Sequence, residues 1–73
     1  MKEYYYFGYS DKKLKAFREE GGAVFSNSTR KPIAFVEDSA WYDWNTHAYI
    51  AFEEDEIVFD AKSRKPIYFV EKE

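Results

Sequence analysis

The sequence contains no cysteine among its 73 residues, so it offers neither a disulfide nor a thiolate ligand for a metal ion. Its single histidine, His47, argues against a zinc site built from histidines. Three glycines and two prolines exclude collagen-like and Gly/Ser-rich disordered chains. No apolar run approaches the roughly 20 residues of a membrane-spanning helix, and the N-terminus lacks the apolar segment of a signal peptide. We therefore expect a cytoplasmic protein with no membrane span, no metal and no cofactor.

Aromatic side chains are what the sequence has in excess, since seven Phe, seven Tyr and two Trp make up 22% of the residues. A chain of this length buries only about 60% of the surface that its unfolded form exposes, so its stability is marginal. Each aromatic side chain can bury about 150–250 Å². We therefore expect aromatic residues to supply much of the core, and the same content argues against disorder.

Four copies of one short unit make up the chain. Phe17, Phe35, Phe52 and Phe69 follow one another at spacings of 18, 17 and 17 residues. An aromatic residue stands ten positions before each of them: Phe7, Phe25, Tyr42 and Phe59. Residues 30–37 (RKPIAFVE) and 64–71 (RKPIYFVE) match at seven of eight positions. We predict a single domain, residues 1–73, with repeats at approximately 4–21, 22–38, 39–55 and 56–73.

Each unit is predicted to be a β-hairpin. The first arm is rich in β-branched and aromatic residues, as in residues 57–59 (IVF), and a polar turn such as residues 60–64 follows it. Residues 11–20 have a helical composition, but their register matches the other copies, so we expect a strand there too. The spacing of the turns predicts an all-β meander of eight strands, whose closure would remove the sheet edges.

Alternation along the arms gives a prediction of the core. The first aromatic residue, the isoleucine and the second phenylalanine of each unit have the same parity, so they share one face of the sheet. We expect Phe25, Ile33 and Phe35, with their equivalents in the other repeats, to form a continuous inner layer. The remaining aromatic residues are then the first candidates for function, with Trp41, Trp44, Tyr49 and Tyr68 ahead of the N-terminal tyrosines.

The tandem hairpins, the ten-residue step and the second arms KPIAF (residues 31–35) and KPIYF (residues 65–69) resemble the four-fold β-flower proteins of bacteria and phages. The resemblance covers essentially the whole chain. It implies four hairpins around a pseudo-four-fold axis, forming a shallow barrel with an apolar centre. From the composition we expect that centre to be aromatic. It implies no catalytic residue, because that family is functionally uncharacterised. Ala48 and Tyr49 in repeat 3 and Lys15 in repeat 1 depart from the pattern.

The repeat also sorts charge by position. The turns inside the hairpins carry eight of the eleven cations, and the links between hairpins carry ten of the fourteen acidic residues. If all four hairpins point the same way, one rim of the barrel is basic and the other is acidic. The predicted basic rim consists of Lys12, Lys13, Lys15, Arg30, Lys31, Lys62, Arg64 and Lys65.

Three interpretations of these rims stay open. Both rims can serve solubility and protect against edge pairing. The basic rim, with Arg30, Lys31, Arg64 and Lys65, can instead bind an anionic small ligand or an acidic protein surface. Nucleic acid is disfavoured as a partner because the net charge is −3. Finally, the two rims can stack on each other and form a head-to-tail homo-oligomer.

The least repetitive segment, residues 41–47 (WYDWNTH), completes the set of candidates. Trp44 stands at a turn position, either as a binding residue or as a lid folded over a neighbouring hairpin. His47 replaces a turn arginine and has no nucleophile beside it, and no common catalytic motif is present, so we expect no enzyme. We predict a non-catalytic interaction or ligand-binding module, or alternatively a structural homo-oligomerisation unit. The candidate binding residues are Trp41, Trp44, His47, Tyr49, Arg30, Lys31, Arg64, Lys65 and Tyr68.

Overall fold

Eight antiparallel strands follow one another around a closed barrel in the computed structural model, which describes residues 3–72. Each strand pairs with the next, and the last pairs with the first, so the sheet has no free edge. The all-β prediction is confirmed, including the strand at residues 14–18 where local composition favours helix. The strands are β1 (Tyr4–Gly8), β2 (Leu14–Arg18), β3 (Ala23–Ser26), β4 (Pro32–Glu37), β5 (Ala40–Asp43), β6 (Tyr49–Glu54), β7 (Ile57–Asp60) and β8 (Pro66–Lys72).

The four hairpin turns share one backbone geometry. In each of them the N–H of the last residue of the first strand donates to the carbonyl five residues later, as from Asp60 to Lys65 at 2.9 Å. The fourth residue after that position is left-handed in every turn, with φ between 63° and 64°. These four equivalent residues are Lys12, Arg30, His47 and Arg64. The sequence repeat is therefore also a repeat of backbone conformation.

The links between hairpins are tighter turns. Asp38 and Ser39 both have positive φ, and so do Asp55 and Glu56, as the two central residues of a type I′ turn require. The equivalent pair in the first link is Gly21-Gly22, also at positive φ. Glycine adopts this backbone without the strain that a side chain introduces. A Cβ at residue 22 would lie 2.9 Å from the Val36 carbonyl oxygen, so this link needs glycine for space as well.

The core lies on the opposite face of the strands from the predicted one. Phe25 and Phe35 are only half-buried on the outer wall, and Ile33 is 37% exposed, so the predicted inner layer is wrong. None of the equivalent aromatic residues in the other repeats belongs to the buried core either. The core instead consists of Tyr6, Ala16, Val24, Ala34, Trp41, Ala51, Val58 and Val70.

The size of the barrel explains this inversion. Alternation shows which side chains share a face, but it does not say which face is inside. An eight-stranded barrel has an interior just wide enough for side chains to fill, and two layers of large aromatic rings exceed that space. Small residues such as Ala34 and Val24, which face each other across β3 and β4, therefore take the inner positions.

Three aromatic rings nevertheless occupy the interior, which confirms the predicted aromatic centre with different residues. The inner positions of the first arms alternate large and small, with Tyr6 and Trp41 in repeats 1 and 3 and valine in repeats 2 and 4. The rings of Tyr6 and Trp41 meet edge to face at 4.8 Å between centroids. Tyr68 stands where the other repeats have alanine, and its ring centroid lies 6.3 Å from Tyr6 and 6.0 Å from Trp41.

The repeated aromatic residues pack in pairs on the outer wall. Each pair joins one hairpin to the next across directly paired strand positions, so the rings connect neighbouring hairpins. The ring planes lie within 24° of parallel in every pair. The four pairs are Phe7–Phe69, Phe17–Phe25, Phe35–Tyr42 and Phe52–Phe59, with centroids 5.2–5.6 Å apart.

Candidate functional site at the hairpin end of the barrel

All four hairpin turns lie at one end of the barrel, because eight consecutive antiparallel strands reverse direction alternately at its two ends. We call the end formed by residues 8–15, 26–33, 43–50 and 60–67 the hairpin end, and the opposite end the link end. The eight cations of the predicted basic rim are all exposed at the hairpin end. Ten carboxylates lie at the link end: Glu3, Glu19, Glu20, Glu37, Asp38, Glu53, Glu54, Asp55, Glu56 and Glu71. Glu73, also predicted for that rim, lies outside the described residues.

Three aspartates at the hairpin end are engaged in local contacts. One carboxylate oxygen of Asp43 accepts the N–H groups of Asn45 and Thr46 at 3.0 and 2.9 Å. Asp60 accepts those of Lys62 and Ser63 in the same way. These hydrogen bonds hold the pKa of both aspartates below its ordinary value. Asp11 forms an ion pair with Lys15 at 2.9 Å, and the positive charge of this end remains largely uncompensated.

The left-handed turn residues pack over the outer aromatic rings. The guanidinium of Arg30 lies 5.3 Å from the ring centroid of Phe17, and that of Arg64 lies 5.5 Å from Phe52. The Lys12 ammonium stands over Phe69, and the His47 ring meets Phe35. Among residues 3–72 the one ion pair within 4 Å is Lys15–Asp11. Arg30 and Arg64 are therefore positioned by the rings, and no carboxylate of residues 3–72 lies in that range.

The large hydrophobic residues exposed within residues 3–72 also lie at the hairpin end. Ile33, Ile50 and Ile67 stand at a β-bulge, where the register between the two arms of each hairpin shifts by one residue. The full set is Tyr9, Ile33, Trp44, Tyr49, Ile50 and Ile67, and Tyr49 is the most exposed at 53%. An apolar surface that is clustered and rimmed by polar residues is a mark of an interaction site.

Backbone hydrogen bonds join these side chains into one arc around the barrel. The carbonyl of each bulged isoleucine accepts an N–H from the next hairpin, as from Trp44 to Ile33 at 3.1 Å and from Tyr9 to Ile67 at 3.0 Å. The same contact in repeat 1 joins two polar residues, Lys15 and Asn27. We call the continuous apolar part, which runs from β4 to β1, the apolar arc: Ile33, Trp44, Tyr49, Ile50, Ala61, Ile67 and Tyr9.

The three isoleucines of the apolar arc are recessed behind polar turn tips. The isoleucines are the second residues of β4, β6 and β8, whereas the turns beyond the strand ends carry serine, threonine, asparagine and lysine. Trp44 lies at the base of a turn, where it is 41% exposed and meets the Phe35 ring of the preceding hairpin edge-on at 6.4 Å. A partner that reaches the arc must therefore fit between the tips.

The structure brings together most of the predicted binding residues. Arg30, Lys31, Trp44, His47, Tyr49, Arg64 and Lys65 all lie at the hairpin end. Trp41 and Tyr68 lie elsewhere, since Trp41 is 2% exposed and Tyr68 packs against the core. Both are structural residues of the interior.

The bulged isoleucines and Tyr9 are the surface residues that sequence reasoning missed. It assigned Ile33, Ile50 and Ile67 to the core. One feature of the sequence indicated that this position is exposed. The equivalent residue of repeat 1 is Lys15, and lysine is almost never fully buried without a partner. The repeat therefore contained evidence that this position faces solvent.

Inside the barrel, towards the link end, four side chains form a closed polar network. Tyr6 accepts a hydrogen bond from Arg18 Nε and donates one to Glu53 Oε1, both at 3.0 Å. Trp41 Nε1 donates to the same Glu53 oxygen at 3.0 Å. Burial and the nearby Glu53 charge raise the pKa of Tyr6. In residues 3–72 every buried side-chain nitrogen and oxygen has a partner, so this network fixes the interior.

No protein-family model, curated protein or solved structure matches the chain. The described part of the chain contains no helix of the length and hydropathy that crossing a bilayer requires. Nor do residues 3–72 place three or more potential His, Asp or Glu ligands around a metal position. The surface of the barrel is therefore where a function has to be sought.

Proposed function

We propose that the protein is a non-catalytic interaction module whose hairpin end binds an acidic, partly apolar segment of another protein. One observation carries this proposal: the exposed large hydrophobic residues are collected at a single end, and eight exposed cations surround them. Apolar contacts in the arc would supply affinity. The cations would steer an acidic partner towards it and determine its orientation.

Charge and shape favour a different protein over a second copy as the partner. Two hairpin ends facing each other would bring two positively charged rims together. In a head-to-tail stack the charges would match, but the apolar arc would meet the link end, where the described residues expose no large hydrophobic side chain. The homo-oligomerisation unit is therefore the weaker alternative, and sedimentation at increasing protein concentration tests it.

The recessed position of the arc favours a peptide segment over a membrane surface. A flat bilayer would meet the polar turn tips first, and these would have to enter the headgroup region before the isoleucines reached apolar material. An extended chain is narrower and can lie between the tips, with its apolar side chains on Ile33, Ile50 and Ile67. Its carboxylates would then face Arg30, Arg64 and the neighbouring lysines.

We also propose that the chain is a four-fold β-flower protein of bacterial or phage origin that acts in the cytoplasm. The closed barrel of four hairpins with one repeated turn geometry supports this proposal. So does the match between residues 30–37 and 64–71. The assignment adds no function, because the resemblance carries none.

A panel of short peptides tests the interaction function by fluorescence anisotropy. Peptides that combine Asp and Glu with Leu and Trp should bind saturably and more weakly as salt is raised, since the exposed charges are screened. Peptides with Lys in place of the acids should not bind. The variant Tyr49→Ser/Ile50→Ser should lose binding, and the link-end variant Lys72→Ser should keep it. Binding that survives the loss of both arc residues, or that occurs only to anionic vesicles, would contradict the proposal.

A further inference from the structure

A second concave surface lies on the outer wall of the barrel, away from the apolar arc. It is a cavity of about 310 Å³ over β1, β2 and the turn that follows β3, at the lower end of the size range of small-molecule sites. Tyr5, Leu14 and Phe17 give it an apolar lining. Phe17 is held in place by stacking on Phe25 with centroids 5.6 Å apart, so this part of the lining is pre-formed.

Groups of opposite charge line the same cavity without pairing. Arg30 contributes a guanidinium that is positioned over the Phe17 ring, and Glu3 and Glu19 contribute carboxylates. Arg18 lines the cavity too, but its Nε donates to the Tyr6 hydroxyl. No nitrogen of Arg30 lies within 4 Å of either carboxylate, because among residues 3–72 the one ion pair in that range is Lys15–Asp11. The Tyr5 hydroxyl donates to Glu3 and orients it. The space between the two signs of charge therefore suits a ligand that carries both.

The repeat provides a matched position that lacks the tyrosine of this cavity. Arg64 stands over Phe52 as Arg30 stands over Phe17, at 5.5 and 5.3 Å. Acidic residues stand at the equivalents of Glu3 and Glu19 as well, but at the equivalent of Tyr5 repeat 3 has Ala40. Arg64 does not line the cavity, so it serves as a matched control for Arg30.

We propose that this cavity binds a free amino acid with an aromatic or large apolar side chain. The α-carboxylate would accept hydrogen bonds from Arg30, which offers a planar set of donors suited to a carboxylate. The ammonium group would face Glu3 and Glu19, and the side chain would cover Tyr5, Leu14 and Phe17. This site shares Arg30 with the proposed hairpin-end function, but it uses neither the apolar arc nor an acidic partner, so either proposal can fail without the other.

Titration of the full ¹⁵N-labelled chain with three probes tests the proposal. L-phenylalanine carries both charges, 3-phenylpropionate lacks the ammonium group, and 2-phenylethylamine lacks the carboxylate. We expect saturable shifts at residues 14–19 and 27–30 with L-phenylalanine, and affinities at least about tenfold lower for the two single-charge probes, since each loses a charge-assisted contact.

Two matched variants complete the experiment. Arg30→Gln should lower the affinity for L-phenylalanine at least about tenfold, whereas Arg64→Gln should leave it unchanged; both should keep the amide spectrum of the folded barrel. Equal binding of 3-phenylpropionate would make the cavity a simple anion site, and equal binding of 2-phenylethylamine would make it an amine site, and either result overturns the proposal. Shifts that do not saturate, or an equal loss in both variants, overturn it as well.

Discussion

The side chains of Tyr6 and Trp41 donate hydrogen bonds to the same oxygen of Glu53 while their rings meet edge to face. The two residues come from the first arms of repeats 1 and 3, which lie on opposite sides of the barrel. The equivalent residues of repeats 2 and 4 are Val24 and Val58. The interior therefore has a lower symmetry than the turns, and repeats 1 and 3 supply its polar contacts.

Trp41 should be among the residues on which stability depends most. We expect Trp41→Ala to lower the free energy of unfolding by about 3–5 kcal/mol, because it removes a large buried side chain and leaves a cavity. Trp44→Ala, which removes the same side chain from the hairpin end, should cost less than about 1 kcal/mol. Urea denaturation followed by far-UV circular dichroism measures both. Similar costs for the two variants would show that Trp41 is not the central residue of the core.

The Tyr6 hydroxyl should stabilise the fold through both of its hydrogen bonds. Tyr6→Phe leaves Arg18 and Glu53 without this shared partner, and we expect a cost of about 1–3 kcal/mol. Glu53→Gln should weaken the same network, so the double variant should cost less than the sum of the two single variants. Additive costs in this double-mutant cycle would mean that the Tyr6–Glu53 contact contributes nothing of its own.

The inverted core gives a direct test with two matched substitutions. Val58 is fully buried and Ile67 is exposed, although the alternation of the arms had placed isoleucine inside. We expect Val58→Ser to cost about 3 kcal/mol or more, because it removes apolar contacts and buries a hydroxyl. Ile67→Ser should change stability by about 0.5 kcal/mol or less. The reverse order, measured by thermal melting, would restore the inner layer of isoleucine and phenylalanine.

Phe35 shows which part of the fold can be predicted from the sequence. The ten-residue step, the turns and the strand order follow from the repeat, because each copy folds locally into the same hairpin of two strands and one turn. Parity also placed Phe25 and Phe35 on one face. The side on which that face lies depends on the volume enclosed by the closed sheet, which no single repeat specifies.

The candidate site was predictable to a similar degree. The basic rim, with Arg30 and Arg64, follows from the position of the cations in each turn. The apolar arc does not, because Ile33, Ile50 and Ile67 share the strand face of the repeated phenylalanines, and parity alone does not say that this face lies outside. The cavity beside Arg30 combines the first hairpin, in which Tyr5 pairs with Phe17, with the turn that follows β3, so it depends on how two neighbouring hairpins pack.

Backbone strain at the left-handed turn position should be measurable at Arg64. Its φ of 63° is costly for any residue with a side chain. Arg64→Ala keeps that strain and loses the contact with Phe52, whereas Arg64→Gly relieves it. We expect the glycine variant to be about 1 kcal/mol more stable than the alanine variant. At Lys65, which lacks a positive φ, the order should be reversed. Equal melting temperatures for the two Arg64 variants would contradict this account.

The turn aspartates should make stability depend on pH at the acid end of the range. The pKa of Asp60 is lowered chiefly by the hydrogen bonds from the Ser63 and Lys62 N–H groups, and that of Asp43 by those from Thr46 and Asn45. Ionised Asp60 is therefore favoured more in the folded protein than in the unfolded chain, where its pKa stays near the ordinary 3.8. The contribution of Asp60 to stability is therefore complete above that pH and is lost as the pH falls through the pKa of the folded state.

Asp60→Ala should remove that contribution, so its effect should itself depend on pH. At pH 7 the variant should melt at a lower temperature than the parent protein, because the N–H groups of Lys62 and Ser63 lose their acceptor. As the pH falls below about 4 the parent loses the same contribution, and the two melting curves should converge. Glu37→Ala, which removes an exposed carboxylate at the link end, serves as the control. A difference between the parent and Asp60→Ala that stays constant from pH 7 to about 2 would show that the charge of Asp60 has no part in the turn.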